Sequence, residues 1–390
     1  MSLLLKQWAT GIAGGQSWSS YWATLISATV ENAAPTHVVL TFPAEGTSVA
    51  TDITATVNGE ARAVSSASWT GGVWTIVLAS AVEYGDVVVM TFVPSGGTAA
   101  VTNNVQHYLT LTKKGTGATV GTIILNVTSN TSITLDGDGR FYSDAGGTLG
   151  ESTTWNVTTG ADRTMYYKVT NGSSRMTFAD ASKVTKLRFS YVAATNAPIQ
   201  TGDIGKFTNA TYLDFETDVN CQVSGDITNV TGLQILVAQG SASISGDISA
   251  LPLTRLNVTA SANTLTGDLS TRTDLTYVNV SGLNTIYGDI GVNNVVSGLT
   301  VFYLTGNNRM VNYTGGISWG NINVTINPAI GYGFSSAEID AILIDMAKAG
   351  GPTSKIITLM GNNAGRTAAS DAAYATLTTT RGCTVNLNPG

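Results

Sequence analysis

This 390-residue chain is poor in several kinds of residue, and each shortage excludes something. It holds two histidines, His37 and His107, both outside the repetitive second half. A Ser-His-Asp or Cys-His catalytic arrangement in that half is therefore excluded. Two cysteines, Cys221 and Cys383, cannot make a disulfide framework. Charged residues are only 11% of the chain and the net charge is −6, so no basic footprint for nucleic acid is present. No apolar run approaches the ~18–20 residues of a membrane span. The start, MSLLLKQWATG, lacks a basic n-region and a long apolar core, so no secretory signal is expected. No HExxH, paired CxxC, P-loop or GxGxxG after a strand occurs, and an enzyme is not expected.

What is present is glycine, 43 residues, with abundant threonine, serine and asparagine. That composition suits short strands, tight turns and hydroxyl ladders. Between Thr201 and Ile290 a motif recurs as TGDI, SGDI, SGDI, TGDL and YGDI, with its glycines at 202, 225, 246, 267 and 288. A degenerate copy, TGGI, covers Thr314–Ile317. A fixed period in this range marks a solenoid, whose single coil cannot bury its apolar face alone. A second motif keeps step: LTRLNV at Leu253–Val258 and LTYVNV at Leu275–Val280, with looser copies before and after. Such alternation is a half-buried strand. Stacked one per coil, Leu187, Leu213, Leu236, Leu256, Val278, Phe302 and Val324 should form one buried ladder.

The joined motifs, LTRLNV…NTLTGDL and LTYVNV…NTIYGDI, resemble the leucine-rich repeat over roughly 176–388, with Cys221 at the asparagine position of its coil. The ending differs. Ser335 and Glu338 form a capping box, Ile339, Ile342, Leu343 and Met346 give one apolar helical face, and Gly350-Gly351-Pro352 stops it. A strand at Lys355–Asn363, a second short helix over Ser370–Thr378 and a strand at Cys383–Asn388 should follow. This tail resembles the terminus of leucine-rich-repeat proteins carried by tailed phages and by bacteria that display them.

Upstream, residues 31–98 read as strands only, at His37–Phe42, Thr51–Asn58, Val73–Ser80 and Val87–Phe92, with turns at Asn58-Gly59, Gly71-Gly72 and Gly85-Asp86. The spacing suggests a β-sandwich. The run ENAAPTHVVLTF…VWTIVLASAVEYGDVVVMTF resembles the immunoglobulin-like repeats of bacterial surface and phage virion proteins, in which the module is a spacer or docking unit. Residues 99–175 hold further strands, placed to cover the open edge of a first coil. Residues 1–30 read as an arm, with Trp18, Trp22 and Leu25 on one helical face and Trp8 upstream. Its rings, with Tyr21, either pack on the next domain or dock the chain to a larger assembly. The expected architecture is mainly β: an arm (1–30), an immunoglobulin-like sandwich (31–98), a β-rich capping block (99–175) and a leucine-rich-repeat-like solenoid with two short helices near its C-terminal cap (176–390).

Three groups are candidate sites. Asp203, Asp226, Asp247, Asp268 and Asp289 should stack one per coil, ~5 Å apart. We read them as turn carboxylates accepting backbone N–H groups; the alternatives are a row of calcium ions or a ladder for a sugar or peptide. Asp136, Asp138 and Asp144 lie in DGDGRFYSD, a Gly-rich hairpin turn or, in the alternative, a calcium loop without its final Glu. The arm aromatics are the third group. No other cofactor is expected. N-x-S/T sequons, as at Asn126, Asn257 and Asn323, read as composition.

The resemblances imply a non-enzymatic virion protein of fibre, spike or decoration type. Its partners would be other virion proteins and a host-surface glycan or protein, with homo-oligomerisation open. A bacterial adhesin is the alternative, and a glycan depolymerase the third reading. One geometric expectation follows from the ladder. Cys221 and Cys383 belong near its second and ninth strands, and at ~4.8 Å per step they should be on the order of 30 Å apart and unpaired.

Overall fold

The computed structural model describes residues 24–390, apart from 32–33, 47, 114–119, 192–197, 216–220, 241, 260–261, 271, 283, 292–297, 307–308, 330 and 332. The chain divides into two compact units, the first ending at His107 and the second running from Tyr108 to Gly390.

Eight strands make the first unit, in the spatial order Glu60–Arg62, Ile53–Val57, Val88–Phe92, Gly97–Asn104, Ser27–Glu31, His37–Thr41, Val73–Leu78 and Val64–Thr70. All neighbours are antiparallel except Ser27–Glu31 against Gly97–Asn104. That parallel pair joins two four-stranded halves which share one apolar cluster. Leu40 and Ile76 enter it from one half, Val57 and Met90 from the other. Burial alternates strictly along His37–Thr41, Val73–Leu78 and Val88–Phe92, as a one-sided sheet requires. The expected turn at Asn58-Gly59 forms with φ of 55° and 84°, the two positive values a two-residue hairpin of matching twist needs. Residues 27–30, which the reading placed in the arm, belong to the strand Ser27–Glu31 of this sheet.

In the second unit each of about five turns contributes one strand to each of two parallel sheets. The first sheet carries the predicted ladder. Its register pairs Leu187 with Leu213, then Leu236, Leu256, Val278, Phe302, Val324, Ile357 and Val385 in unbroken succession. All but the last are wholly buried, each contributing about 1.5–3 kcal/mol of hydrophobic stabilisation. Hydroxyls bind the coils further: Thr254, Thr276 and Thr300 each donate to a carbonyl of the preceding coil.

The TGDI motifs form the second sheet, in Ile199–Asp203, Cys221–Asp226, Ser243–Asp247, Thr264–Asp268 and Thr285–Asp289, followed by Arg309–Asn312. Cys221, Val223, Ile244, Leu265 and Ile286 point inward and are wholly buried. Two buried asparagines lock the coils together. Asn263 Oδ1 accepts the Ile244 N–H at 2.9 Å, and Asn284 Oδ1 accepts the Leu265 N–H at 2.8 Å.

Both sheets begin on antiparallel strands from the 99–175 block. Val120–Val127 pairs with Val184–Tyr191, and His107–Thr112 pairs with Ile199–Asp203. At the far end α1 (Ser336–Met346) follows the last strands, with Ser335 as N-cap, the Ser335–Glu338 capping box formed, and Ile339, Ile342, Leu343 and Met346 wholly buried. The second helix is shorter than expected. α2 (Asp371–Ala375) lies between a 3₁₀ turn at Ala368–Ser370 and a π turn at Thr376–Thr380. Among the described residues no helix is long and apolar enough to cross a membrane.

Candidate functional site

The aspartates do not stack in register. Asp203 pairs with Ser224, Asp226 with Ser245, Asp247 with Thr266 and Asp268 with Tyr287, each partner lying two residues before the next aspartate. At ~4.8 Å between strands and ~3.3 Å per residue, successive aspartates are offset diagonally by about 8 Å rather than ~5 Å. The glycine explains the shear. Gly246 has φ of 120°, and a Cβ on it would fall 2.6 Å from Asp226 Oδ1. Only glycine lets the next strand pass this close to the carboxylate.

Each carboxylate caps the turn that follows it. Asp203 accepts from the Gly205 N–H, Asp226 from Thr228, Asp247 from Ser249, Asp268 from Ser270 and Asp289 from Gly291, all at 2.7–2.8 Å. In three coils the residue two beyond the aspartate has a hydroxyl, which accepts the N–H of the next coil's aspartate. These bonds are Asp247 to Thr228, Asp268 to Ser249 and Asp289 to Ser270. Bonds from the Thr228 hydroxyl and N–H hold Asp226 below its ordinary pKa, and the Ser249 N–H and hydroxyl do the same for Asp247. The geometry is that of Asx turns.

Asp136, Asp138 and Asp144 are similarly engaged. Asp136 accepts the Arg175 N–H at 2.6 Å and Asp138 the Asn171 N–H, so both pin the hairpin around residues 169–173. Asp144 accepts N–H groups from Leu149, Thr148 and Gly146 and the Thr148 hydroxyl, and those bonds, Leu149 first, hold its pKa low. Among the described residues no group of three or more His, Cys, Asp or Glu is arranged to hold a metal ion. Trp8, Trp18, Tyr21 and Trp22 lie outside the described residues.

Two carboxylates that sequence reasoning passed over organise the C-terminal coils. Asp345 on α1 accepts from the Tyr313 hydroxyl at 2.7 Å and the Gly316 N–H at 2.6 Å, and Lys348 pairs with it at 2.5 Å. Trp319 donates to Tyr313 in turn. Gly316 stands where the earlier motifs have aspartate, and Gly291 lacks the hydroxyl that would have taken its N–H. The helix supplies the acceptor instead. Burial alone would raise the Asp345 pKa, but bonds from Lys348, Tyr313 and Gly316 together hold it below the usual range. Asp340 is bound likewise by Thr367 and Ser370.

The feature with the chemistry of a binding site is the outer face of the first sheet. Its residues are those between the ladder positions, such as Arg255 and Asn257 in LTRLNV. They form two rows. Lys186, Tyr212, Ile235, Arg255, Tyr277 and Val301 follow one another in register and are half-buried. In the adjacent row Asp214, Val237 and Asn257 face away from the core, yet each is only 4% exposed. We call this face the trough: over three coils its middle row is covered by the side chains beside it, and Asn279 and Tyr303 continue that row half-buried. Lys186 pairs with Asp162 at 2.5 Å, and Arg188 with Asp214 at 3.5 Å. Tyr212 donates to Asp214 at 3.0 Å. The Arg255 guanidinium lies 4.2 Å from the centre of the Tyr277 ring, a cation–π stack. Asn257 begins a sequon but is too buried to serve as a glycan acceptor.

Searches of protein-family models, curated proteins and solved structures find no match to this chain. The functional reading therefore rests on this geometry. The two cysteines are free and buried. Burial pushes the Cys221 thiol up to about 11, which removes it from nucleophilic work at neutral pH.

Proposed function

We propose that the chain is a non-enzymatic structural protein of a tailed-phage particle, which docks through its N-terminal region and presents its solenoid to a host surface. In this reading the first unit is an immunoglobulin-like spacer and the coils are of the leucine-rich-repeat kind. The protein resides on the virion and its other contacts are virion proteins. The observation that carries the proposal is the trough on the first sheet, a polar and aromatic face built coil by coil. The interlocking asparagines Asn263 and Asn284 support the leucine-rich-repeat reading, because they do for successive coils what that repeat's asparagine implies. The turn bonding of all five repeat aspartates supports a scaffold role for the second sheet over a catalytic one.

The test is adsorption. Purified chain should bind host cells saturably, compete with particle attachment and release no reducing ends from host capsule. Reducing ends appearing with the pure protein would overturn the non-enzymatic reading. Absence of both cell binding and competition would overturn the host-surface role.

A further inference from the structure

We propose that the trough binds an acidic polysaccharide, with Asn257 and Arg255 as its principal contacts and Tyr277 as the stacking platform. The inference rests on the reading of this face as a recognition surface and adds the ligand's chemistry. Three observations lead to it.

The first is the state of Asn257. Its side chain sits in the middle row with Val237 and Asn279 as register neighbours. Its Oδ1 is closed from solvent and has no hydrogen-bond partner. A buried amide oxygen without a donor is costly, and a ligand hydroxyl that supplies the donor recovers that cost. The second observation is charge. On the stacked coils of this face, from Val184–Tyr191 onward, the cations are Lys186, Arg188 and Arg255, and the first two are neutralised by Asp162 and Asp214. Among the described residues Arg255 has no ion pair, on a protein whose net charge is −6. Its guanidinium stacks on Tyr277, which leaves the edge of the planar fork for a carboxylate.

The third observation is placement. Arg255 and Asn257 are two residues apart on one strand, so both project from the same face. A ligand must therefore offer a carboxylate and a hydroxyl within one short span, with a ring face for the tyrosines. A uronic-acid unit has all three, and the units flanking it in a polymer can lie on the neighbouring coils, where Ile235 and Tyr277 stand on either side of Arg255 in register. A protein partner is the other outcome of the test, since tyrosine and arginine serve protein interfaces too. For the ligand hydroxyl to reach Asn257, a wall side chain must turn aside. Arg255, held by stacking alone, is the one the geometry leaves able to move; swinging off Tyr277, it keeps its fork for the carboxylate and frees the ring face for the sugar.

The experiment measures binding of the full chain to polygalacturonate, alginate and hyaluronate by calorimetry, with dextran as the neutral polymer. At least one anionic polymer should bind, dextran should bind at least about tenfold more weakly, and raised salt should weaken the interaction. Arg255→Gln and Asn257→Asp should each lose at least about tenfold, with melting temperatures confirming that both variants fold. Equal binding of dextran, or no loss in either folded variant, overturns the proposal. A parallel arm separates it from the reading beneath it. Asn279→Trp fills the trough and is assayed for host-cell binding. If it abolishes cell binding while no anionic polymer binds the wild type, the ligand class is wrong and the recognition face stands. If cell binding survives that substitution, both fall.

Discussion

Asn284 offers a sharp test of how the coils are held. It is wholly buried, its Oδ1 accepts the Leu265 N–H of the preceding coil at 2.8 Å, and its Nδ2 donates to the Ser281 carbonyl at 2.6 Å. Asn284→Ala leaves the Leu265 N–H without an acceptor in a place water does not reach. An unsatisfied buried donor costs about 1–3 kcal/mol. Asn263 occupies the same place one coil earlier, but its Nδ2 has no partner. Asn263→Ala therefore removes fewer bonds and should cost less. Urea denaturation followed by circular dichroism reads the stabilities, and amide exchange reads the site. Leu265 should exchange about 5- to 150-fold faster in Asn284→Ala, which is that cost expressed as an equilibrium ratio. An unchanged midpoint with unchanged Leu265 exchange, or a larger loss at Asn263, would refute the interlocking role.

Other predictions concern the turns, acid and the thiols. Gly246→Ala should destabilise by about 1–3 kcal/mol through strain and its clash with Asp226, and more than Gly172→Ala, where φ is 61° but no atom lies within 4 Å; equal costs would show that the close approach is unimportant. Asp226, Asp247 and Asp345 have folded pKa values below the ordinary one. They stabilise the fold above the unfolded value of about 3.9, and that contribution is lost as pH falls through their lower folded values. Asp345→Asn should therefore be less stable at neutral pH and lose less on acidification, and an undiminished acid dependence would count against the Asp345 network. Cys221 and Cys383 should resist a thiol reagent until the chain unfolds and should form no mutual disulfide; prompt labelling of Cys221, or a Cys221–Cys383 bridge, would contradict the stack.

The ladder was legible because its residues recur at one position of a short alternating motif, and each strand from Leu187 to Ile357 buries the same rung. The α1 start was legible for a local reason, the Ser335–Glu338 pair. The second sheet was not. Glycine is a poor strand residue, and the motif around Gly225 or Gly246 reads as a turn because its positive φ is needed there. Nor could the shear be read. The motif repeats every 21 residues, from Gly246 to Gly267, yet Ser245 pairs with Thr264, a step of 19. Spacing gives the period but not the register. In the first unit Val64–Thr70 was missed because it is an edge strand with no fully buried residue, and a bulge between Val64 and Ser66 breaks its alternation. The trough was invisible for another reason. Its residues fill the variable positions between ladder leucines, and nothing in LTRLNV tells that Asn257 is covered while Arg255 is half-exposed.

The most direct test of the functional account is cryo-microscopy of the particle that carries this chain. The account predicts the first unit against the particle and the solenoid projecting, with the row from Tyr212 to Val301 uncovered. Density from another virion protein filling that trough, or a solenoid buried within the particle, would contradict it.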